Sequence, residues 1–147
     1  MSYSLESFDK SIDITGIPKF RVFLDKPPDK SIEEVVKSYI KDKYKRDVVS
    51  KYIRTEINLK GHLPHYDYGS DKHMTWCKYS ASYLKSCGFE GGEFCFLNDD
   101  DTILEVVDSD KHFNKILLFS VHHKHKVNPT IKGERRVELN FFSDNTI

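Results

Sequence analysis

Two hydrophobic periods divide this chain, and the change between them falls near Asp47. Residues 1–18 carry only weak periodicity and end at Gly16 and Pro18. Phe20, Val22 and Leu24 then alternate with polar residues, the period-2 pattern of a short strand, and Lys26-Pro27-Pro28-Asp29 stops it. Ser31-Ile32-Glu33-Glu34 has the form of a capping box, with Ser31 as N-cap and Glu34 at the third helical position. Ile32, Val35, Val36, Tyr39 and Ile40 follow at helical spacing and form one apolar stripe. The helix this predicts ends near Lys43–Lys45.

Beyond Asp47 the period falls to two. Val48 to Leu59 is rich in β-branched residues and alternates through Ile53, Thr55, Ile57 and Leu59. Further strands are predicted over 73–84, 92–97, 102–107, 115–122, 125–130 and 135–142. The turns between them carry Gly88, Gly91-Gly92, Asn98–Asp101, Asp108–Asp110 and Lys132-Gly133. About seven strands behind one helix, without βαβ alternation, predict a mainly β protein. The expected architecture is a double-stranded β-helix, a cupin-like jelly roll with N-terminal helical support packed on it. An immunoglobulin-like sandwich is the second choice, but it would not begin with a helix. The expected organisation is a single domain over 1–147, with 1–47 as support and 48–142 as the core.

Composition narrows the partners. Lysine plus arginine is 23 and aspartate plus glutamate is 23, so net charge is zero. That balance gives no electrostatic case for nucleic acid or a membrane. Cys77, Cys87 and Cys95 are odd in number and lack metal-ligand spacing, as expected of a reduced cytoplasmic protein. MSYSLESFDKS has no apolar h-region, and no apolar run reaches membrane-spanning length. A monomer or small homo-oligomer is expected.

The candidate chemistry lies in GHLPHYDYGSD, residues 61–71, and in a late histidine cluster. A His-x-Asp pair at a strand end puts both side chains on one face, because strand side chains repeat every two residues. Two such ligands and one distant histidine make a facial triad that holds iron(II) and leaves coordination positions open. The stretch LLFSVHHKHKV offers His122, His123 and His125, and strand parity alone does not separate His123 from His125. The residues downstream do. Arg135 lies ten positions after His125, whereas the same offset from His122 and His123 reaches Lys132 and Gly133. Taken singly, a His-x-Asp pair or a histidine-rich strand is more often solvated surface; the ordered set is what carries weight.

That set resembles the iron(II)- and 2-oxoglutarate-dependent dioxygenases, on their prolyl-4-hydroxylase-like branch. The matching residues are His65-Tyr66-Asp67, Tyr83-Leu84, Phe89-Glu90-Gly91-Gly92-Glu93-Phe94, His125-x-Val127-x-Pro129 and Gly133-x-Arg135, within residues 50–142. The resemblance implies that His65, Asp67 and His125 bind iron(II). It implies that Arg135 grips the distal carboxylate of 2-oxoglutarate, for which a permanently charged, fork-shaped donor is suited. Tyr83 matches a tyrosine that binds the same carboxylate in part of the family, and Tyr79 shares its strand parity. Core packing is the competing role for both tyrosines, and Glu93 is expected to be structural. Tyr68 and Trp76, with Tyr66 and His73 nearby, are candidates for substrate contact at the mouth.

The activity implied is hydroxylation of an unactivated C–H bond, consuming O2 and 2-oxoglutarate and releasing succinate and carbon dioxide, with ascorbate in support. Asp67 stands where halogenating relatives have a small residue, so hydroxylation rather than halogenation is implied. The resemblance favours a protein or peptide side chain such as proline as substrate. A free amino acid or other small metabolite is the alternative. A non-catalytic metal-binding jelly-roll module is the reading from a different class. Departures are the short N-terminal region, Thr130 in place of an aliphatic residue, and arginine rather than the lysine of collagen-type hydroxylases. Base-repair relatives carry a second arginine beyond the first, and here Arg136 is merely adjacent.

Overall fold

Ser31 starts the longest helix among the described residues, α1 (Ile32–Tyr44), through a complete capping box. Its hydroxyl accepts from the Glu34 amide at 3.1 Å, and its own amide donates to the Glu34 carboxylate at 3.1 Å. Two donors that no helical carbonyl could satisfy are thereby paired. Lys45 ends the helix in the left-handed conformation, its amide donating to the Lys41 carbonyl at 3.0 Å. Ile32, Val36 and Ile40 are fully buried. Each contributes about 2 kcal/mol by leaving water, and Val36→Ala would open a cavity at the centre of that stripe.

The computed structural model describes residues 16–57, 60–67 and 74–145. Its strands are β1 (Arg21–Asp25), β2 (Val48–Ile57), β3 (His62–His65), β4 (Tyr79–Leu84), β5 (Glu90–Gly91) and β6 (Phe94–Leu97). They continue with β7 (Ile103–Val107), β8 (Lys115–Ser120), β9 (Lys124–Val127), β10 (Thr130–Lys132) and β11 (Arg136–Asp144). A single helical turn, α2 (Ser109–His112), joins β7 to β8. The strands form a five-stranded sheet in the order β1-β8-β4-β11-β2 and a four-stranded sheet in the order β3-β9-β6-β7. A two-stranded β10-β5 ribbon completes the arrangement. All pairings between strands are antiparallel, as in a jelly roll.

The larger sheet has two apolar faces, one for each core. On one, Tyr79, Ala81, Ile116, Leu118 and Phe142 pack with α1. On the other, residues of the opposite parity meet the smaller sheet, where Phe94, Phe96, Val107, Leu117, Phe119 and Val127 cluster. Both faces of β4 are therefore covered, and its sequence YSASYL shows no simple inside–outside alternation.

The structure departs from the sequence expectation in a few places. β3 contains Pro64, which the ladder tolerates because β3 is an edge strand. The predicted 73–84 strand starts only at Tyr79. α2 replaces the turn expected at Asp108–Asp110; the Asp108 side chain accepts from the Asp110 amide at 2.9 Å and starts it. Arg135, expected on a strand, lies one residue before β11.

Candidate active site

Cross-strand register closes the 60-residue gap between the two histidine motifs. His65 on β3 is directly opposite His125 on β9. A bulge in β3 gives three residue steps from His62 to His65 against two from Val127 to His125. The extra residue puts His62 and His65 on the same side, towards the cavity, and turns Leu63 out to solvent. Gly61 permits the approach. It has φ +76°, and a Cβ there would lie 2.2 Å from the Val127 carbonyl oxygen.

Asp67 completes the cluster. Its Oδ1 is 3.2 Å from His65 Nε2 and 3.0 Å from His125 Nε2. One candidate ligand atom from each of the three residues lies within 4.8 Å of the others. The far nitrogen of each ring is fixed by backbone. His65 Nδ1 donates to the Leu63 carbonyl at 2.6 Å, and His125 Nδ1 donates to the His123 carbonyl at 3.0 Å. A carbonyl can only accept, so both Nδ1 atoms carry hydrogen, and both Nε2 atoms face Asp67 as ligand histidines do. His125 is further clamped by Phe94, stacked at 5.2 Å between centroids, and by the edge of Phe119 at 4.9 Å.

The electrostatics suit a cation. Burial alone would raise the Asp67 carboxyl, but His125 and then His65 outweigh it and hold the group far below the usual carboxylate range. Burial opposes the charged form of His65, yet the hydrogen bond and charge of Asp67 prevail and raise its pKa above 6.5. Two imidazoles and one carboxylate, converging from two strands with their outer nitrogens tied down, fit a divalent first-row metal ion.

The cavity beside the triad holds about 480 Å³ of open space, its mouth included. Phe94, Phe119, Val127, Val137, Leu139 and Phe141 supply apolar wall, and Arg135 lines the same cavity. Arg135 is 3% exposed, its guanidinium 6.0 Å from the centre of the Phe94 ring. Burial pushes its pKa down to about 10, with Glu56 acting in the opposite direction, so the group stays charged at neutral pH. Gly92 leaves room for it, since a Cβ there would lie 3.2 Å from Arg135 Cδ. A buried cation in the apolar wall of a cavity that also holds His65, Asp67 and His125 is chemically suited to an anionic group.

Comparison with known proteins identifies the family. The model of the 2OG-Fe(II) oxygenase superfamily matches residues 49–143. The chain belongs to that superfamily. Its members use iron(II), 2-oxoglutarate and O2. No curated protein matches the chain. Among solved structures, an oxidoreductase of the 2OG-Fe(II) oxygenase family from Burkholderia pseudomallei is 16% identical, with a TM-score of 0.53 over 84% of this chain and 64% of that one. A prolyl-4-hydroxylase from Pseudomonas putida is 13% identical, with a TM-score of 0.56 over 87% of this chain and 74% of that one. A viral collagen prolyl hydroxylase from Paramecium bursaria Chlorella virus-1, solved with 2-oxoglutarate, is 12% identical, with a TM-score of 0.58 over 90% of this chain and 84% of that one. At these identities the likeness is one of fold, and the chain spans less than two-thirds of the Burkholderia protein.

In this oxygenase-family chain His65, Asp67, His125 and Arg135 line one cavity. The two tyrosines expected with them do not. Tyr79 and Tyr83 point from β4 to the opposite face, into the core shared with α1. The Tyr79 hydroxyl donates to Asp144 at 3.0 Å, and Lys26 lies over the Tyr83 ring at 5.4 Å. Their place facing the cavity is taken by Ser80 and Ser82, of the other parity. Of the mouth candidates, Trp76 packs against the buried Tyr66–Cys77–Val121–Phe141 cluster, while Tyr68 and His73 lie outside the described residues. Tyr66 is buried and donates its hydroxyl to Asp99 at 2.8 Å. Glu93 accepts from the Asn128 side chain at 3.0 Å on the exterior. His122 and His123 are absent from the cavity lining: His122 Nδ1 pairs with the Ser120 hydroxyl at 2.8 Å, and the His123 ring packs against Phe96. No described helix is long and apolar enough to cross a membrane.

Sequence reading also missed a polar group on the cavity wall. Arg54 and Glu56, two apart on β2, both line it, joined by an ion pair. His62 Nε2 lies 2.9 Å from Glu56 Oε1. The alternation Arg54-x-Glu56 placed both on one strand face, but nothing in the sequence showed that this face was the cavity.

Proposed function

We propose that this chain is an iron(II)- and 2-oxoglutarate-dependent hydroxylase in which His65, Asp67 and His125 hold the metal and Arg135 holds the distal carboxylate of 2-oxoglutarate. The carrying observation is the convergence of the three ligand residues on a cavity whose wall contains a buried guanidinium. When bound there, iron(II) supplies the means to divide O2 between a substrate C–H bond, which becomes C–OH, and 2-oxoglutarate, which becomes succinate and carbon dioxide.

The residues of the chain bind, orient and exclude. The Leu63 and His123 carbonyls hold the imidazole rings with Nε2 turned inwards. Asp67 supplies a negative charge that offsets part of the metal's charge. The Arg135 fork selects a carboxylate, and its burial makes that interaction stronger than it would be in water. Phe94, Phe119 and Val137 keep that end dry. His65 is 38% exposed at its side chain and His125 only 4%, so the approach for a substrate is from the His65 side.

The substrate reading is a protein or peptide side chain, with proline first. It rests on the prolyl-hydroxylase-like residue pattern and on the hydroxylases among the structures of similar fold. The test is succinate release from 2-oxoglutarate in the presence of iron(II), ascorbate and air, first without and then with proline-rich peptides. Activity in the wild type that is lost in His65→Ala and in Arg135→Ala supports the proposal. Tight metal binding with no turnover under any of these conditions would instead indicate a non-catalytic metal-binding module.

A further inference from the structure

Asp67 is held in place differently from the two histidines. His65 and His125 face each other in the β3–β9 ladder, but β3 and its register end at His65, and Tyr66 and Asp67 lie beyond. Asp67 lines the cavity, whereas the Tyr66 ring packs away from it with Cys77 and Val121. The Tyr66 hydroxyl donates to Asp99 Oδ1 at 2.8 Å, in the turn between β6 and β7. That turn is closed by its own hydrogen bonds. The Asn98 amide donates to the Thr102 carbonyl at 2.8 Å, and the Asp101 amide donates to the Asn98 carbonyl at 3.0 Å. It is also fastened to β9 by Lys124, the residue before His125. The buried Lys124 ammonium donates to the Asp99 carbonyl at 3.3 Å, pairs with the Asp101 carboxylate and lies 5.9 Å from the centre of the Tyr66 ring. A lysine this buried is kept where it is paired.

We propose that the Tyr66–Asp99 hydrogen bond is the tether that positions Asp67, with the β6–β7 turn as the fixed support behind the metal site. Tyr66 stands between two of the ligand residues, and the turn that holds it also holds the neighbour of the third. Tyr66 and Asp99 are positioning residues, and neither lines the cavity. Their effect is to set the place of Asp67 before a metal arrives, which removes an ordering cost from binding. The turn thereby contributes to metal affinity without supplying a ligand atom.

The inference rests on the reading of His65, Asp67 and His125 as the metal site, and the experiment separates the two. Cobalt(II), whose visible bands respond to its ligands, is titrated into wild type, His65→Ala, Tyr66→Phe, Asp99→Ala, the Tyr66→Phe/Asp99→Ala pair and Tyr79→Phe. The melting temperature of each metal-free protein is measured alongside. Tyr66→Phe keeps the ring in its cluster and removes the hydroxyl. It should weaken cobalt(II) binding about tenfold and shift the visible bands at saturation, while the melting temperature falls by no more than about 4 °C. Asp99→Ala should match it, and the pair should bind no more weakly than either alone, because both changes remove one bond. Tyr79→Phe is the control. It removes another tyrosine–carboxylate hydrogen bond, of 3.0 Å, on the α1 face, and should leave cobalt(II) affinity at the wild-type value. Wild-type affinity or unshifted bands in Tyr66→Phe, additive losses in the pair, or an equal loss in Tyr79→Phe overturns the positioning role and leaves the metal site in place. Equal binding by wild type and His65→Ala, or none by wild type, overturns the metal site and the positioning with it.

Discussion

Replacing Arg135 with methionine is expected to weaken co-substrate binding severely without unfolding the protein. The two effects have different physical origins and can be sized separately. Burial lowers the Arg135 pKa from its ordinary value to about 10. At about 1.4 kcal/mol for each pKa unit, the fold spends about 3 kcal/mol to keep the charge there. Methionine keeps the apolar stem against Phe94 and removes that cost, less whatever hydrogen bonds the guanidinium makes in the free protein. The melting temperature should therefore stay the same or rise, at about 2–4 °C per kcal/mol for a domain of this size. Binding should move the other way. Loss of a buried charge-assisted pair costs about 2–5 kcal/mol, or about 30- to 4,000-fold in the dissociation constant of 2-oxoglutarate. Differential scanning calorimetry and titration calorimetry on the same preparation measure both. A variant destabilised by more than about 2 kcal/mol that still binds 2-oxoglutarate within threefold of wild type would make Arg135 a structural cation and refute the reasoning.

Three other expectations concern the frame. Gly61→Ala puts a Cβ 2.2 Å from the Val127 carbonyl oxygen at φ +76°, so urea unfolding should show a loss of at least about 2 kcal/mol and metal affinity should fall with it. Tyr79→Phe removes the hydrogen bond to Asp144; it should cost about 1 kcal/mol of stability and leave the KM for 2-oxoglutarate unchanged, since the ring faces α1 and not the cavity. His112 is buried against Phe23 with Nε2 donating to the Ser82 carbonyl, and burial lowers its pKa to about 4. The unfolded chain therefore takes up the proton first as pH falls, and stability present above about pH 6.5 is lost on the way to pH 4, by about 3 kcal/mol in total. His112→Gln should remove that part of the pH dependence in denaturant titrations, and an unchanged slope would mean the imidazole takes up its proton at the same pH in the fold as in the unfolded chain.

What the sequence disclosed, and what it hid, follows from how local each signal is. The capping box of α1 and the Val22–Leu24 alternation depend on neighbours within four residues, and both were readable. The cluster of His65, Asp67 and His125 was readable as a candidate metal site because two motifs occur in a fixed order with Arg135 behind them, although only the register His65↔His125 explains why they meet. β4 shows the limit. Both of its faces are buried, so the alternation that separates core from solvent is missing, and parity alone could not say whether Tyr79 or Ser80 faced the cavity. The bulky rings went to the face that α1 fills, and the small serines to the face that lines the cavity. β3 was masked by Pro64 and by its bulge, and β5 and β10 are too short to show a period. The Arg54–Glu56–His62 group depends on which edge strands flank the mouth, a property of the assembled sheets.

The central claim is that one site binds both iron(II) and 2-oxoglutarate. Anaerobic titration of 2-oxoglutarate into the iron(II)-loaded protein tests it in a single spectrum. A visible charge-transfer band should appear and saturate in the wild type, and should be missing from His65→Ala and from Arg135→Ala at the same concentrations. A wild-type protein that binds iron(II) yet gives no band at saturating 2-oxoglutarate, or an Arg135→Ala variant that gives the full band at the wild-type midpoint, would contradict the account.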